Sequence, residues 1–161
     1  MKKIPLTQGQ VALVEDTDYK ELSKYKWYAK YNKCTNSFYA VRKIKTINGR
    51  LAFPMHRQIL GLEYGDYRHV DHINHNTLDN RRDNIRICTR SQNGGNRRRN
   101  KNTVSKYKGI HQEKSTHWSA QIGYCGNKIH LGTFLTEKEA AVAYNKAAKK
   151  YFGEFACLNL V

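Results

Sequence analysis

No stretch of the chain approaches the roughly 18 consecutive apolar residues needed to cross a bilayer, and Met1-Lys2-Lys3-Ile4-Pro5 lacks the apolar segment of a secretory signal. A membrane-spanning or secreted protein is not expected, and a cytoplasmic one is. Cysteine is sparse and unpaired: Cys34, Cys88, Cys125 and Cys157 lie far apart, with no C-x-x-C knuckle to place two thiolates on one ion. No structural zinc is expected, and the four read as ordinary small core or surface residues of a reducing compartment. Acidic side chains are also few, 13 Asp and Glu against 29 Lys and Arg, giving a formal charge of +16. Such an excess repels itself unless a polyanion is bound, which makes nucleic acid the first partner to consider. Charge alone leaves open a ribosome-associated or merely very soluble basic protein, so motifs must decide.

The 161 residues, 39% of them apolar, can bury a core, but the punctuation suggests two or three small units instead of one large one. Short strand-like pieces come first: Gln10 to Val14, Trp27 to Tyr31, Phe38 to Arg42, and Leu51 to Phe53 after the Asn48-Gly49 turn. Asp18-Tyr-Lys-Glu21 has the form of an acidic N-cap with a Glu three residues on, predicting a short helix that carries Tyr19 and Leu22. A second helix is predicted from Pro54, with Pro at its first position, to just before Gly61. From Arg81 to Lys108 ten Lys or Arg accompany one acid, and Arg97 to Ser105 reads as a linker too polar to bury. Beyond it, Lys108 to Ile110, Trp118 to Tyr124 and Lys128 to Phe134 read as three strands. Thr136-Glu-Lys-Glu139 then opens an Ala-rich helix whose Ala140, Ala143, Tyr144, Ala147 and Tyr151 share a face.

The informative block is His69-Val70-Asp71-His72-Ile73-Asn74-His75-Asn76, followed by Asn80-Arg-Arg-Asp-Asn84-Ile-Arg86 and Cys88-Thr-Arg-Ser-Gln-Asn93. Asp71 and His72 end a short predicted strand, Asn84 falls in a loop or second strand, and Thr89 caps a helix with Gln92 in capping-box position. Phosphodiester hydrolysis needs a base to deprotonate water and a hard cation to neutralise charge on the phosphate. An imidazole with a reference pKa near 6.5 can serve as the base, while the Asp71 carboxylate and Asn93 amide oxygen suit magnesium or manganese. The flanking His69 and His75 read as phosphate contacts or solvated side chains, and His56 as a packing or phosphate-contact residue.

This block resembles the HNH family, specifically the phage and intron-encoded homing endonucleases whose ββα-metal motif reads D-H, then N, then N. The resemblance implies His72 as general base, Asp71 and Asn93 as metal ligands, and Asn84 as the residue that holds the loop and orients the base. Many HNH proteins carry a histidine where Asn93 stands, so the match is to the H-N-N variant. Ile4-Pro-Leu-Thr-Gln-Gly9 and Met55-His-Arg57 also resemble the N-terminal part of these phage proteins.

From Ser105 to about Asn159, the segments Ser105-Lys-Tyr-Lys-Gly-Ile110, Trp118-Ser-Ala-Gln-Ile122, Ile129-His-Leu-Gly-Thr-Phe134 and Glu139-Ala-Ala-Val-Ala-Tyr144 resemble the APETALA-type, or ethylene-response-factor, DNA-binding domain. In that family a three-stranded sheet enters the major groove, about 12 Å wide, and a helix backs it. The match implies a DNA face of Lys108, His111, Lys114, Gln121, Lys128 and His130, without the strand arginines of plant members. Trp118, Ile122, Leu131 and Phe134 read as core between sheet and helix, and Arg97, Arg98 and Arg99 as phosphate contacts.

The expected architecture is α+β: a β-rich unit over 1–60, a ββα-metal nuclease core over 61–100, a basic linker over 101–104, and a sheet packed on one helix over 105–161. The expected function is metal-dependent cleavage or nicking of double-stranded DNA with Mg2+ or Mn2+; no obligate protein partner is evident. The rival reading is a non-catalytic DNA-binding transcriptional regulator. RNA binding fits less well, because such sheets suit the wide B-form groove.

Overall fold

A computed structural model of the chain describes residues 1–47, 49–100, 103–113 and 116–161, and divides it into two units, Met1–Ile87 and Cys88–Val161. The fold is mixed, with several small antiparallel sheets and few helices. No helix among the described residues is long and apolar enough to cross a membrane.

In the first unit, β1 (Lys2–Pro5) pairs antiparallel with β2 (Val11–Val14), with Ile4 opposite Ala12. β1 carries a single buried side chain, Ile4, and so no alternation by which the sequence could announce it. Helix α1 spans Asp16–Leu22 with Glu15 at its N-cap and no side-chain cap bond. The predicted cap, Asp18, lies inside the first turn, where its charge suits the helix dipole, and its carboxylate pairs with Arg82 at 2.6 Å. The Trp27 indole donates to the Leu22 carbonyl at 2.8 Å, which folds the chain from α1 into the sheet.

That sheet is β3 (Tyr28–Asn32), β4 (Ser37–Thr46) and β5 (Gly49–Pro54), antiparallel in chain order. Helix α2 spans Met55–Ile59, and Pro54 stands at its N-cap, one position earlier than expected. The reason is that Pro54 is still the last residue of β5, opposite Val41, with ψ extended at 143°. The turn expected at Asn48-Gly49 includes Asn48, which lies outside the described residues.

Strands β6 (His69–His72) and β7 (Ile85–Cys88) form a two-stranded sheet. One apolar cluster joins Ile4, Ala12, Val14, Leu22, Trp27, Ala40, Met55, Ile59 and Ile85, with Val70 and Leu78 packed against it. Each fully buried large side chain there contributes roughly 1.5–3 kcal/mol, so the β6-β7 hairpin is built onto the β-rich elements.

In the second unit, α3 (Arg90–Asn96) starts at a complete Thr89–Gln92 capping box and α4 (Glu137–Phe152) at a complete Thr136–Glu139 box. Between them lie β8 (Ile110–Glu113), β9 (His117–Tyr124) and β10 (Asn127–Phe134), in the order β10-β9-β8. Strand β8 starts later than Lys108 because the Asn159 side chain takes both backbone groups of Lys108, at 2.7 and 3.1 Å, and Gly109 follows at φ +76°. The helix buries Ala140, Ala141, Tyr144, Ala147, Ala148 and Phe152 against the sheet, with Tyr151 half-buried beside them. Ser105, expected in a segment too polar to bury, is 1% exposed, because its hydroxyl donates to Glu137 at 2.6 Å and its polarity is satisfied. All four cysteines are free thiols, Cys34 and Cys125 exposed and Cys88 buried.

Candidate functional site

Asp71 and His72 end β6, and both are buried, each 6% exposed. The loop from Ile73 to Asn84 that follows them makes no ladder of its own and is held by side chains. Asn84 does most of this: its Oδ1 accepts from the Asn74 amide at 2.9 Å, its Nδ2 donates to the Asp79 carbonyl at 2.7 Å, and its own carbonyl accepts from Ile73 N at 2.9 Å. Asp79 accepts from Arg81 through both carboxylate oxygens at 2.8 Å and from Asn74 at 2.9 Å, and the Arg81 guanidinium holds its carboxyl below the usual range. The loop also bridges to β2, with Leu13 N donating to Leu78 O and Asn80 N to Leu13 O, both at 2.8 Å. The backbone that delivers His72 is thereby fixed from both sides.

The His72 imidazole sits in a cage of rings. His56, on α2, meets it with centroids 5.0 Å apart, and Tyr39, on β4, lies 6.2 Å from His72 and 6.0 Å from His56. Burial pushes His72 below its ordinary value, opposed by a hydrogen bond with Asn80 and by the carboxylates of Asp71 and Asp79. Burial, then the charges of His72 and Arg57, drive His56 down to about 3. The Asp71 carboxylate is reached by Arg86 Nη2 at 3.0 Å and Nε at 3.2 Å. Sequence reasoning passed over Tyr39 and Arg86; only the quoted block, which contains Arg86, carried any signal of either.

Among the described residues no group of three His, Cys, Asp or Glu side chains could hold a metal ion. Asn93 is half-buried on α3, in the second unit, and Asp71, His72 and Asn84 are in the first. His69 is exposed, and His75 is half-buried in the left-handed region at φ 64°.

In the second unit, cross-strand partners put His111, Gln121, Lys128 and His130 on the sheet face away from α4: His111 opposes Ser119, Gln121 opposes His130 and Lys128 opposes Gly123. Ile122 with Trp118, Leu131 and Phe134 packs on the other face, toward the helix. Lys108 is not on the outer face. Its ammonium donates to the Gly95 carbonyl on α3 at 2.6 Å, 5.9 Å from the Tyr144 ring, and burial lowers it to about 8. Lys114 lies outside the described residues. Arg97 and Arg98 are exposed, whereas Arg99 donates to Thr103 Oγ1 at 2.9 Å and to the carbonyls of Asn100 and Ser105. Arg98, Arg99, Lys106 and Lys108 line a common cavity of about 320 Å³.

The HNH endonuclease family profile matches residues 54–94, which hold His56, Asp71, His72, Asn84 and Asn93. An HNH endonuclease of Acanthamoeba polyphaga mimivirus, itself uncharacterised, is 32% identical over 158 residues, covering 96% of this chain and 77% of that protein. The chain belongs to the HNH endonuclease family. It is accordingly a DNA endonuclease, a hydrolase of phosphodiester bonds, with DNA as its partner. Partial matches also run to plant regulators. A dehydration-responsive element-binding protein of Arabidopsis thaliana is 44% identical over 61 residues, 37% of this chain and 30% of that protein. An ethylene-responsive transcription factor of the same plant is 46% identical over 59 residues, 35% of this chain and 14% of its own length. No solved structure matches.

Proposed function

We propose that this HNH protein is a site-specific DNA endonuclease of the homing type that nicks or cuts double-stranded DNA with His72 as general base. The observation that carries the assignment is the buried His72 imidazole, caged by His56 and Tyr39 at the end of β6 beside Asp71. Burial keeps the ring neutral at working pH, so it can take the proton of the attacking water. Asn84 orients the base by clamping the loop that follows it, through Asn74 and Asp79.

Asp71 and Asn93 would hold Mg2+ or Mn2+. The donor chemistry fits, since one carboxylate and one amide oxygen are hard ligands that leave positions for phosphate and water. Bound there, such an ion supplies charge neutralisation at the phosphate. Before any ion binds, Arg86 holds the Asp71 carboxylate, which keeps a buried charge paired.

The working division is a β-rich unit over 1–60, a ββα-metal nuclease core over 61–100, a basic linker over 101–104 and an APETALA-type DNA-binding module over 105–161. His111, Lys114, Gln121, Lys128 and His130 form the face toward the major groove, with Arg97, Arg98 and Arg99 on phosphates. Lys108 serves the interface indirectly, by tying the module to α3 through Gly95.

A non-catalytic DNA-binding regulator is the second reading, favoured by the plant transcription-factor matches. Incubation with supercoiled plasmid separates the two. The wild type is expected to nick with Mg2+, to stop under excess EDTA, and to lose two to four orders of magnitude on His72→Ala, roughly the worth of a general base, while gel-shift affinity stays. Wild-type turnover by His72→Ala, or cleavage indifferent to EDTA, would overturn the assignment.

A further inference from the structure

Between Glu21 and Glu63 the chain carries nine Lys and Arg and no acidic side chain. This segment builds the β3-β4-β5 sheet, whose two faces differ. Ala29, Ala40 and Phe53 are buried on one side. On the other, the register places Lys30 opposite Tyr39, Lys43 opposite Ala52 and Lys45 opposite Arg50, so antiparallel partners set these residues on a common face. Lys30, Lys43, Lys45 and Arg50 are exposed, and no ion pair among the described residues reaches any of them.

The same face ends in a groove of about 470 Å³ lined by Lys30, Tyr39, Val41, Ala52, Pro54 and His56, among others. Tyr39 and His56 are also the rings that cage His72. A basic face without carboxylates therefore runs up to the wall of the candidate active site.

We propose that this outer face of the β3-β4-β5 sheet binds the phosphate backbone of duplex DNA and feeds it toward His72, a second DNA contact besides the sheet of the C-terminal unit. Direction toward the cut rests on His72 as the general base; binding of the backbone does not. Four cations on one solvent-facing sheet side repel one another, and a row of phosphates relieves that repulsion while releasing condensed counterions. A polyanion fits better than an acidic small molecule because the cations are spread along three strands instead of converging on one point.

The test uses the full chain with Lys43→Gln, Lys45→Gln and Arg50→Gln combined. A charge-matched control carries Lys138→Gln, Lys146→Gln and Lys149→Gln on exposed positions of α4. Gel-shift affinity for one duplex across a salt series, and plasmid nicking, are measured for both and for the wild type. The sheet triple should weaken binding and flatten the slope of log affinity against log salt by up to about 0.9 per lost contact, while the control slope stays near wild type. An unchanged slope in the sheet triple, or equal losses in both triples, overturns the proposal. Lys43→Gln alone, expected to lose up to about 0.9, serves if the triple folds poorly. If the wild type binds with the predicted dependence on these cations but never nicks, the surface stands and the base assignment falls. If wild type and sheet triple nick alike with equal slopes, the surface falls and the base assignment stands.

Discussion

The rings of His56 and His72 meet edge to face, their planes 84° apart and their centroids 5.0 Å apart, which couples α2 to the end of β6. Two imidazoles in that contact, both buried, cannot readily carry charge together, and His56 is the one driven furthest toward the neutral form.

This has a consequence for stability. His56 is lowered from 6.5 to about 3 in the folded protein, so between those values the unfolded chain binds a proton that the native state refuses. Above pH 6.5 both states are neutral and the group contributes nothing; as pH falls through the window, stability is lost, up to a ceiling on the order of 5 kcal/mol. Denaturant unfolding of wild type and His56→Phe at pH 7.5 and pH 5 should show the variant with a shallower decline. Parallel declines would refute it.

Asn84 is 4% exposed and satisfies a part-buried amide and a buried carbonyl of its loop. Asn84→Ala removes both bonds, at about 1–3 kcal/mol for the buried carbonyl and less for the part-exposed amide. The expected loss is about 2–4 kcal/mol in unfolding free energy, together with plasmid nicking. A variant of wild-type stability and activity would remove Asn84 from the site.

Lys108 and Lys128 both stand in the expected DNA face, but only Lys128 is exposed on the outer side of the sheet. Lys128→Gln should lower the salt slope of binding by up to about 0.9, whereas Lys108→Gln should leave the slope and instead lower the melting temperature, since it frees the Gly95 carbonyl. The reverse pattern in a salt titration would put Lys108 on the phosphate backbone.

Gly109 stands at φ +76°, and a Cβ there would lie 2.3 Å from the Tyr144 ring and 2.5 Å from the Gln121 carbonyl oxygen. Gly109→Ala therefore combines left-handed strain with a backbone clash, and about 3 kcal/mol of destabilisation is expected by thermal melting. A loss below about 1 kcal/mol would mean that β8 and α4 adjust to admit a methyl group.

By itself the sequence determined what is local. Short strand-like pieces set between turn residues marked β2 through β5, two S/T-x-x-E/Q boxes marked the starts of α3 and α4, and the Asp71-His72, Asn84, Asn93 spacing marked the catalytic candidates. Those signals are readable because hydrogen-bonding groups within four residues, or turn residues at the ends of a strand, leave their mark in the chain. Only the tertiary structure decided that Tyr39 and His56 enclose His72, that Arg86 holds Asp71, and that Lys108 turns toward α3 and away from the outer face. These contacts join residues far apart in the chain, or depend on which of two faces a residue presents. They follow from which apolar surfaces meet in the core, and neither composition nor periodicity carries that information.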